Sequence, residues 1–252
     1  MVNKMDMEFH AFPRELQEKI EGDIVAGRLI DRQEVSLNDL QNTYQASLAE
    51  LDKVVRGAIR KGLLVQNALD NRFVVHAKPQ PKIISVFQHA ARSGLSPRSI
   101  VRAVEILPAH KIVAHQLQLK VGEPVFQQTR TRLVNDMVIA NQNNYIPIEV
   151  CPGLETVDLA HTSFQTVLEG RFNAVVCEVK EDFRLSESNP EDAAILGIES
   201  GDKVLIVERL SLGATGLPLV WADIHIRLDC YHYVQDLWPE AAAVVDRRRG
   251  TK

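Results

Sequence analysis

The chain has 252 residues, 45% of them hydrophobic, 25% charged and 6% aromatic, and carries a formal net charge of −4. This is the composition of a globular protein long enough for two cores, and it argues against disordered and membrane classes. No apolar run approaches the roughly 20 residues of a transmembrane helix, and the polar stretch Met1 to Glu8 lacks a signal-peptide core, so a cytoplasmic protein without membrane contact is expected.

Residues 13 to 75 read as one helical unit. Pro13 opens a helix whose apolar positions Leu16, Ile20 and Ile24 recur every four residues, and Gly27 supplies its stop. Ser36 can cap a second helix that turns Leu40 inward, and Ser47 a third that turns Leu51, Val54, Val55 and Ala58 inward. Beyond Lys61-Gly62, the runs Leu63 to Val65 and Phe73 to Val75 flank residues 66–72 as a two-stranded wing. Three helices and a wing predict a winged helix-turn-helix over residues 1–77, a fold that places its third helix in a DNA major groove.

That unit is nevertheless acidic, with ten bases against twelve acids in residues 1–77, a net −2. Lys53, Arg56 and Arg60 recur at helical spacing and Arg72 sits in the wing, so a set of phosphate contacts is available; the plainer reading is a solvated helix face. Pro79 and Pro81 mark residues 78–83 as a semi-rigid linker. Residues 84–240 then form a second domain, and residues 241–252, ending in Arg247-Arg248-Arg249, read as a basic tail.

An internal repeat organises the second domain. Leu117 to Arg130 lies over Leu196 to Arg209 without a gap, pairing Gly122 with Gly201, Val125 with Val204 and Arg130 with Arg209. Upstream of each copy, Ser99 to Leu107 and Val175 to Leu185 are strand-like and lead into short Ala-rich helices. Ser85 and Ser163 each open a helical pattern. Two such halves predict an α+β domain: one antiparallel sheet, helices against a face, and a ligand cleft where the halves meet.

The first copy ends in a hairpin, Pro124 to Pro147, turning at Asn135-Asp136. Side chains alternate across a strand, so Arg130 and Arg132 share a face, and their planar forks suit a carboxylate or phosphate. A two-residue loop sets Asn141 opposite Arg130 and a three-residue loop sets Gln142 there; the bland alternative is a pair of exposed arginines in weak surface ion pairs. Cys151, Cys177 and Cys230 lack CxxC spacing, so neither a disulfide framework nor a zinc site is expected, and no cofactor motif is present.

Arg130-Thr131-Arg132, Tyr145-Ile146-Pro147, Ser163-Phe164, Glu208-Arg209, Gly216-Leu217-Pro218 and Arg227 to Tyr231 stand in the order and spacing of a known family. On these residues the chain resembles the GntR transcriptional regulators of the HutC branch, a winged helix-turn-helix followed by the ligand-sensing UTRA module, whose sheet is similar in fold to chorismate lyase. The resemblance implies a homodimer on palindromic double-stranded DNA, acting as a repressor controlled by a small anionic metabolite. It implies that Arg130, Arg132 and Ser163 bind the effector's acidic group. Gln142 and Asp223 fall at positions that are commonly glutamates in the family, and Ser85 and His225 are expected to line the same cleft. On the DNA side it points to Ser36, Asn38 and Ser47, supplemented by Lys53, Arg56 and Arg72. The family's arginines before the second helix and at the start of the third are absent here, which keeps open a sensor that acts through protein contacts. An enzyme keeping the lyase-like fold is the weakest reading, because His110 and His115 lack a carboxylate partner and no nucleophile motif is present.

Overall fold

The computed structural model describes residues 13–66, 72–76, 94–159, 164–233 and 239–246. The first unit comprises α1 (Arg14–Val25), β1 (Glu34–Ser36), α2 (Leu37–Tyr44), α3 (Leu48–Arg60), β2 (Leu64–Gln66) and β3 (Arg72–Val75). Ser36 and Ser47 cap α2 and α3 as expected, and each closes a capping box with the acid three residues on, Asp39 and Glu50. Ile20, Ile24, Leu40, Leu51, Val54, Val55 and Ala58 form its core with Phe73 and Val75 of the wing. The wing has one strand more than expected, ordered β1-β3-β2. Glu34–Ser36 is too short to announce itself by alternation and is recruited by pairing with β3.

The second unit runs β4 (Pro97–Pro108), α4 (Lys111–Leu117), β5 (Pro124–Val134), β6 (Met137–Pro147), α5 (Phe164–Phe172), β7 (Glu178–Glu187), α6 (Pro190–Leu196), β8 (Lys203–Leu212), β9 (Pro218–Arg227) and α7 (Pro239–Asp246). Its six-stranded antiparallel sheet is ordered β4-β5-β6-β9-β8-β7, so the two repeats lie side by side and meet at β6 and β9. Asn135 and Asp136 both have positive φ, 48° and 64°, as a two-residue hairpin turn with the strand twist requires. The register then shifts between Arg132 and Leu133, leaving Ile139 as the extra residue, and this bulge sets Gln142 opposite Arg130. A two-residue turn thus produces the pairing expected of a three-residue one.

Helices cover both faces of the sheet rather than one, because both faces carry apolar side chains. On the first face, Phe126, Ile146 and Val220 pack against Val167, Leu168 and Phe172 at one end. At its other end Leu205, Val207 and Ile226 pack against Ala241 and Val245 of α7. Residues 239–246 are therefore part of this core, not the start of a tail as expected; the arginines at 247–249 lie outside the described residues, as does the linker 78–83. On the opposite face α4 covers Val125 and Trp221, and α6 covers Val204 and Ile206.

Helix α6 is also tied down by charge. Asn189 caps it, accepting from Asp192 N, and Asp192 Oδ2 lies 2.6 Å from His225 Nδ1 of β9. Asn141 of β6 donates to the other Asp192 oxygen at 3.1 Å. Burial alone would lower the His225 pKa, but the bonds to Asp192 and Asp223 outweigh it and raise it to about 9.

The two units are docked through α1 and α3. Arg60, 6% exposed, pairs with Glu149 at 3.2 Å and donates to the carbonyls of Leu117 and Pro218 at 3.1 and 3.0 Å. Gln17 of α1 donates to the Glu149 carbonyl at 3.0 Å, and Thr215 to the Ile59 carbonyl at 2.9 Å. At Gly57 the backbones approach so closely that a Cβ would stand 2.2 Å from the Glu149 carbonyl oxygen. Gly213 makes the reciprocal approach to Arg60.

Two predictions follow from these contacts. In an open helix Gly57→Ala would gain about 1 kcal/mol of helix propensity; here the methyl group meets a backbone oxygen, so the variant should undock the units. Calorimetry of Gly57→Ala should resolve two unfolding transitions where the native chain gives one, and a single undiminished transition would show that the dock is not tight. For the α6 tie, the folded His225 pKa lies above its ordinary 6.5. Its stabilisation is complete below pH 6.5 and is lost as pH rises toward 9. Allowing for partial exposure, the native chain should lose about 2 kcal/mol over that window relative to His225→Gln, read by urea unfolding at each pH.

Candidate functional site

The first face of the sheet is polar at its centre, between the two apolar ends covered by α5 and α7. Gln128, Arg130 and Arg132 project there from β5, and Gln142 and Asn144 from β6, because residues two apart share a face. Arg132 Nε donates to Gln142 Oε1 at 2.8 Å and its Nη1 to Ser99 Oγ at 2.6 Å. Gln142 donates to Asn144 at 2.7 Å, Asn144 to Gln128 at 3.1 Å, and the Arg130 guanidinium closes the chain on the same Gln128 oxygen. Phe164, at the start of α5, covers Arg130 with its ring centroid 4.9 Å from the guanidinium carbon, a cation–π contact.

This floor is buried and positive. Arg130 is 3% exposed, and burial pushes its pKa down to about 10. Burial, and then the fields of Arg130 and Arg209, push Arg132 well below the ordinary arginine value. Two buried donors, Arg130 Nε and Gln128 Nε2, have no acceptor among the described residues. Burying a donor without a partner costs about 1–3 kcal/mol, and an acceptor on a bound molecule could satisfy both groups.

The expected site residues do not all meet. Arg130, Arg132 and Gln142 are together, as the sequence indicated. Asp223 and His225 are not with them: in the β6–β9 register Asp223 lies opposite Asn143 and His225 opposite Asn141, which places both on the other face of the sheet. There they bond to each other and to α6, and the residues of β9 that share the floor's face are Ala222, opposite Asn144, and Ile224, opposite Gln142. The resemblance placed Asp223 in the cleft, but the register puts its side chain on the opposite face, because one step along a strand reverses the face. Ser85 and Ser163 lie outside the described residues. Gln128, Asn144 and Ser99 were not singled out in the sequence, although Gln128 stands two positions before Arg130 and the same alternation could have found it.

In the first unit, the hydroxyls of Ser36 and Ser47 are engaged by Asp39 and Glu50 at 2.7 and 2.6 Å. The hydroxyl and amide of Ser47 hold the Glu50 carboxyl below its usual range, so a negative charge stays at the start of α3. Asn38 is exposed and Lys53 half-buried. Arg72 lies 3.2 Å from Glu34. Arg56 differs most from expectation, since its guanidinium reaches Glu123 of the second unit at 3.2 Å and Asp52 at 3.6 Å. The docking of α3 has drawn it into the contact between the units.

Residues 92–232 match the family described as UTRA domain. The uncharacterized HTH-type transcriptional regulator YurK of Bacillus subtilis (strain 168) is 20% identical over 185 residues, 72% of this chain and 76% of that protein. The HTH-type transcriptional repressor NagR of the same strain is 24% identical over 180 residues, covering 70% and 73% respectively. Among solved structures, PhnF from Mycobacterium smegmatis has the same fold, with a TM-score of 0.55 at 19% identity over 85% of this chain and 95% of that one. Since the family match takes in more than half of the chain, the chain belongs to the UTRA-domain family.

Proposed function

We propose that this protein is a ligand-responsive transcriptional regulator of the GntR type, a repressor of the HutC branch controlled by a small anionic metabolite held on the floor of Arg130, Arg132, Gln142 and Asn144. The observation that carries the reading is that buried Arg130 and half-buried Arg132 share one face of β5, where Arg130 Nε and Gln128 Nε2 lack acceptors among the described residues. Ser99 Oγ, the hydroxyl on that floor, is engaged by Arg132 Nη1 at 2.6 Å, which favours binding over catalysis. The protein acts as a homodimer on a palindromic operator, since a two-fold protein reads two like half-sites. NagR, which is described as a repressor, supports the sign of the response.

The route from ligand to DNA follows from the connectivity. Strand β6 carries Gln142 and Asn144 on the floor and ends at Pro147, two residues before Glu149, the anchor of Arg60. A ligand that shifts β6 therefore acts on the helix that enters DNA, and occupancy changes the head's position rather than its fold.

A second reading, a sensor that acts through protein contacts, is favoured by the net −2 of residues 1–77 and by the use of Arg56 within the protein. Affinity for generic duplex DNA decides between them. A DNA binder that neutralises four or so phosphates should lose affinity with a log–log salt slope of about −3 to −4, whereas a slope near zero selects the protein-contact reading. For the effector site, a small acid that co-purifies with the native chain should be found by mass spectrometry, and Arg130→Met and Arg132→Met should each weaken its binding by about 2–3 kcal/mol. Retention of that acid at native occupancy by the double variant would remove the anion from the reading.

A further inference from the structure

Resting on the reading of the first unit as a DNA-binding head, we infer that Leu48 is its specificity-determining residue and that it reads the 5-methyl group of thymine in the operator half-site. A winged helix-turn-helix brings the first turns of its third helix to the base edges, so the side chains that α3 presents there decide which bases are read.

Helical spacing fixes the candidates. Leu51, Val54, Val55 and Ala58 face the core, which leaves Leu48, Ala49, Asp52, Lys53 and Arg56 on the outward side. Their commitments differ. Arg56 is held by Glu123 of the second unit at 3.2 Å, and Asp52 has the same guanidinium beside it at 3.6 Å. Lys53 is half-buried and stands five residues further along. Ser47 and Glu50 are closed on each other in the capping box, with the hydroxyl 2.6 Å from the carboxylate. Gln45, in the turn before α3, donates back to the Asn42 carbonyl at 2.7 Å. Leu48, by contrast, is 48% exposed at the first position of the helix, beside exposed Ala49.

The chemistry of that turn names the base. From Gln45 to Asp52 no side chain is cationic, so the bidentate arginine or lysine contact that recognises guanine cannot come from here. The turn offers a branched hydrocarbon and a methyl group. The base edge that answers them is thymine, whose C5-methyl is the one methyl group displayed in the major groove. Packing it against Leu48 removes apolar surface from water on both sides of the contact and needs no counter-charge. Such a contact fits a head with twelve acids against ten bases in residues 1–77, because its discrimination comes from buried methyl area and not from phosphate neutralisation.

The test offers the full chain a random duplex pool at low salt, from which the native protein should enrich a half-site containing thymine. Each thymine of the enriched duplex is then replaced by deoxyuracil, which keeps the hydrogen-bonding edge and removes only the methyl group. At one or two half-site thymines this should weaken binding of the native chain about fourfold, and at thymines outside the half-site it should change nothing. Leu48→Ala, at an exposed position that the core does not use, should bind the thymine duplex several-fold more weakly and be indifferent to the same uracil replacements. Its salt slope should match that of the native chain, because the phosphate contacts are untouched. Leu48→Met, which keeps an apolar side chain, should retain the sensitivity to uracil. A native chain that enriches a site and loses nothing on any uracil replacement, or a Leu48→Ala variant as sensitive as the native chain, overturns the inference and leaves DNA binding in place. Enrichment of no duplex by the native chain would instead overturn the DNA reading on which it rests.

Discussion

The alternation of side chains above and below a strand governs this protein's chemistry more than any single bond. At the centre of the six-stranded sheet it sorts a run of polar residues into two clusters that never meet. Gln128, Arg130, Arg132, Gln142 and Asn144 form a basic floor on one side, while Asn141, Asp223 and His225 fasten α6 on the other. The sorting depends on the bulge at Ile139, because without that extra residue Asn141 would face Arg130 and the two clusters would exchange members.

The clusters differ in how their charges are balanced. Around His225 an imidazolium lies between two carboxylates, a compensated arrangement that contributes to stability. On the floor, guanidiniums have amides and a hydroxyl as near neighbours, and burial lowers their pKa values. A counter-charge bound there would recover free energy that burial of the guanidiniums costs.

The recognition helix serves two ends. Its first turn faces outward, capped by Ser47 and Glu50, and its last two turns are buried against the sensor through Gly57, Arg60 and Thr215. A glycine in mid-helix costs about 1 kcal/mol relative to alanine, and here it permits backbone contact across the dock that no side chain would allow. The same docking explains why Arg56, placed by helical spacing among the phosphate contacts, is bound to Glu123 instead.

Much was legible in the chain itself. Capping serines at 36 and 47, apolar spacing of three and four, and the gapless repeat specified helices, strands and two like halves, since these are local patterns read within a few residues of one another. So was the sharing of a face by Arg130 and Arg132. Tertiary structure alone decided which residues meet from distant strands: the bulge that set Gln142 opposite Arg130, the one-residue offset that put Ala222 rather than Asp223 on the floor, the recruitment of Glu34–Ser36 into the wing, and the dock that claimed Arg56 and Arg60. Each depends on a register or an approach between segments far apart in sequence, where a shift of one residue reverses the outcome and leaves no trace in local composition.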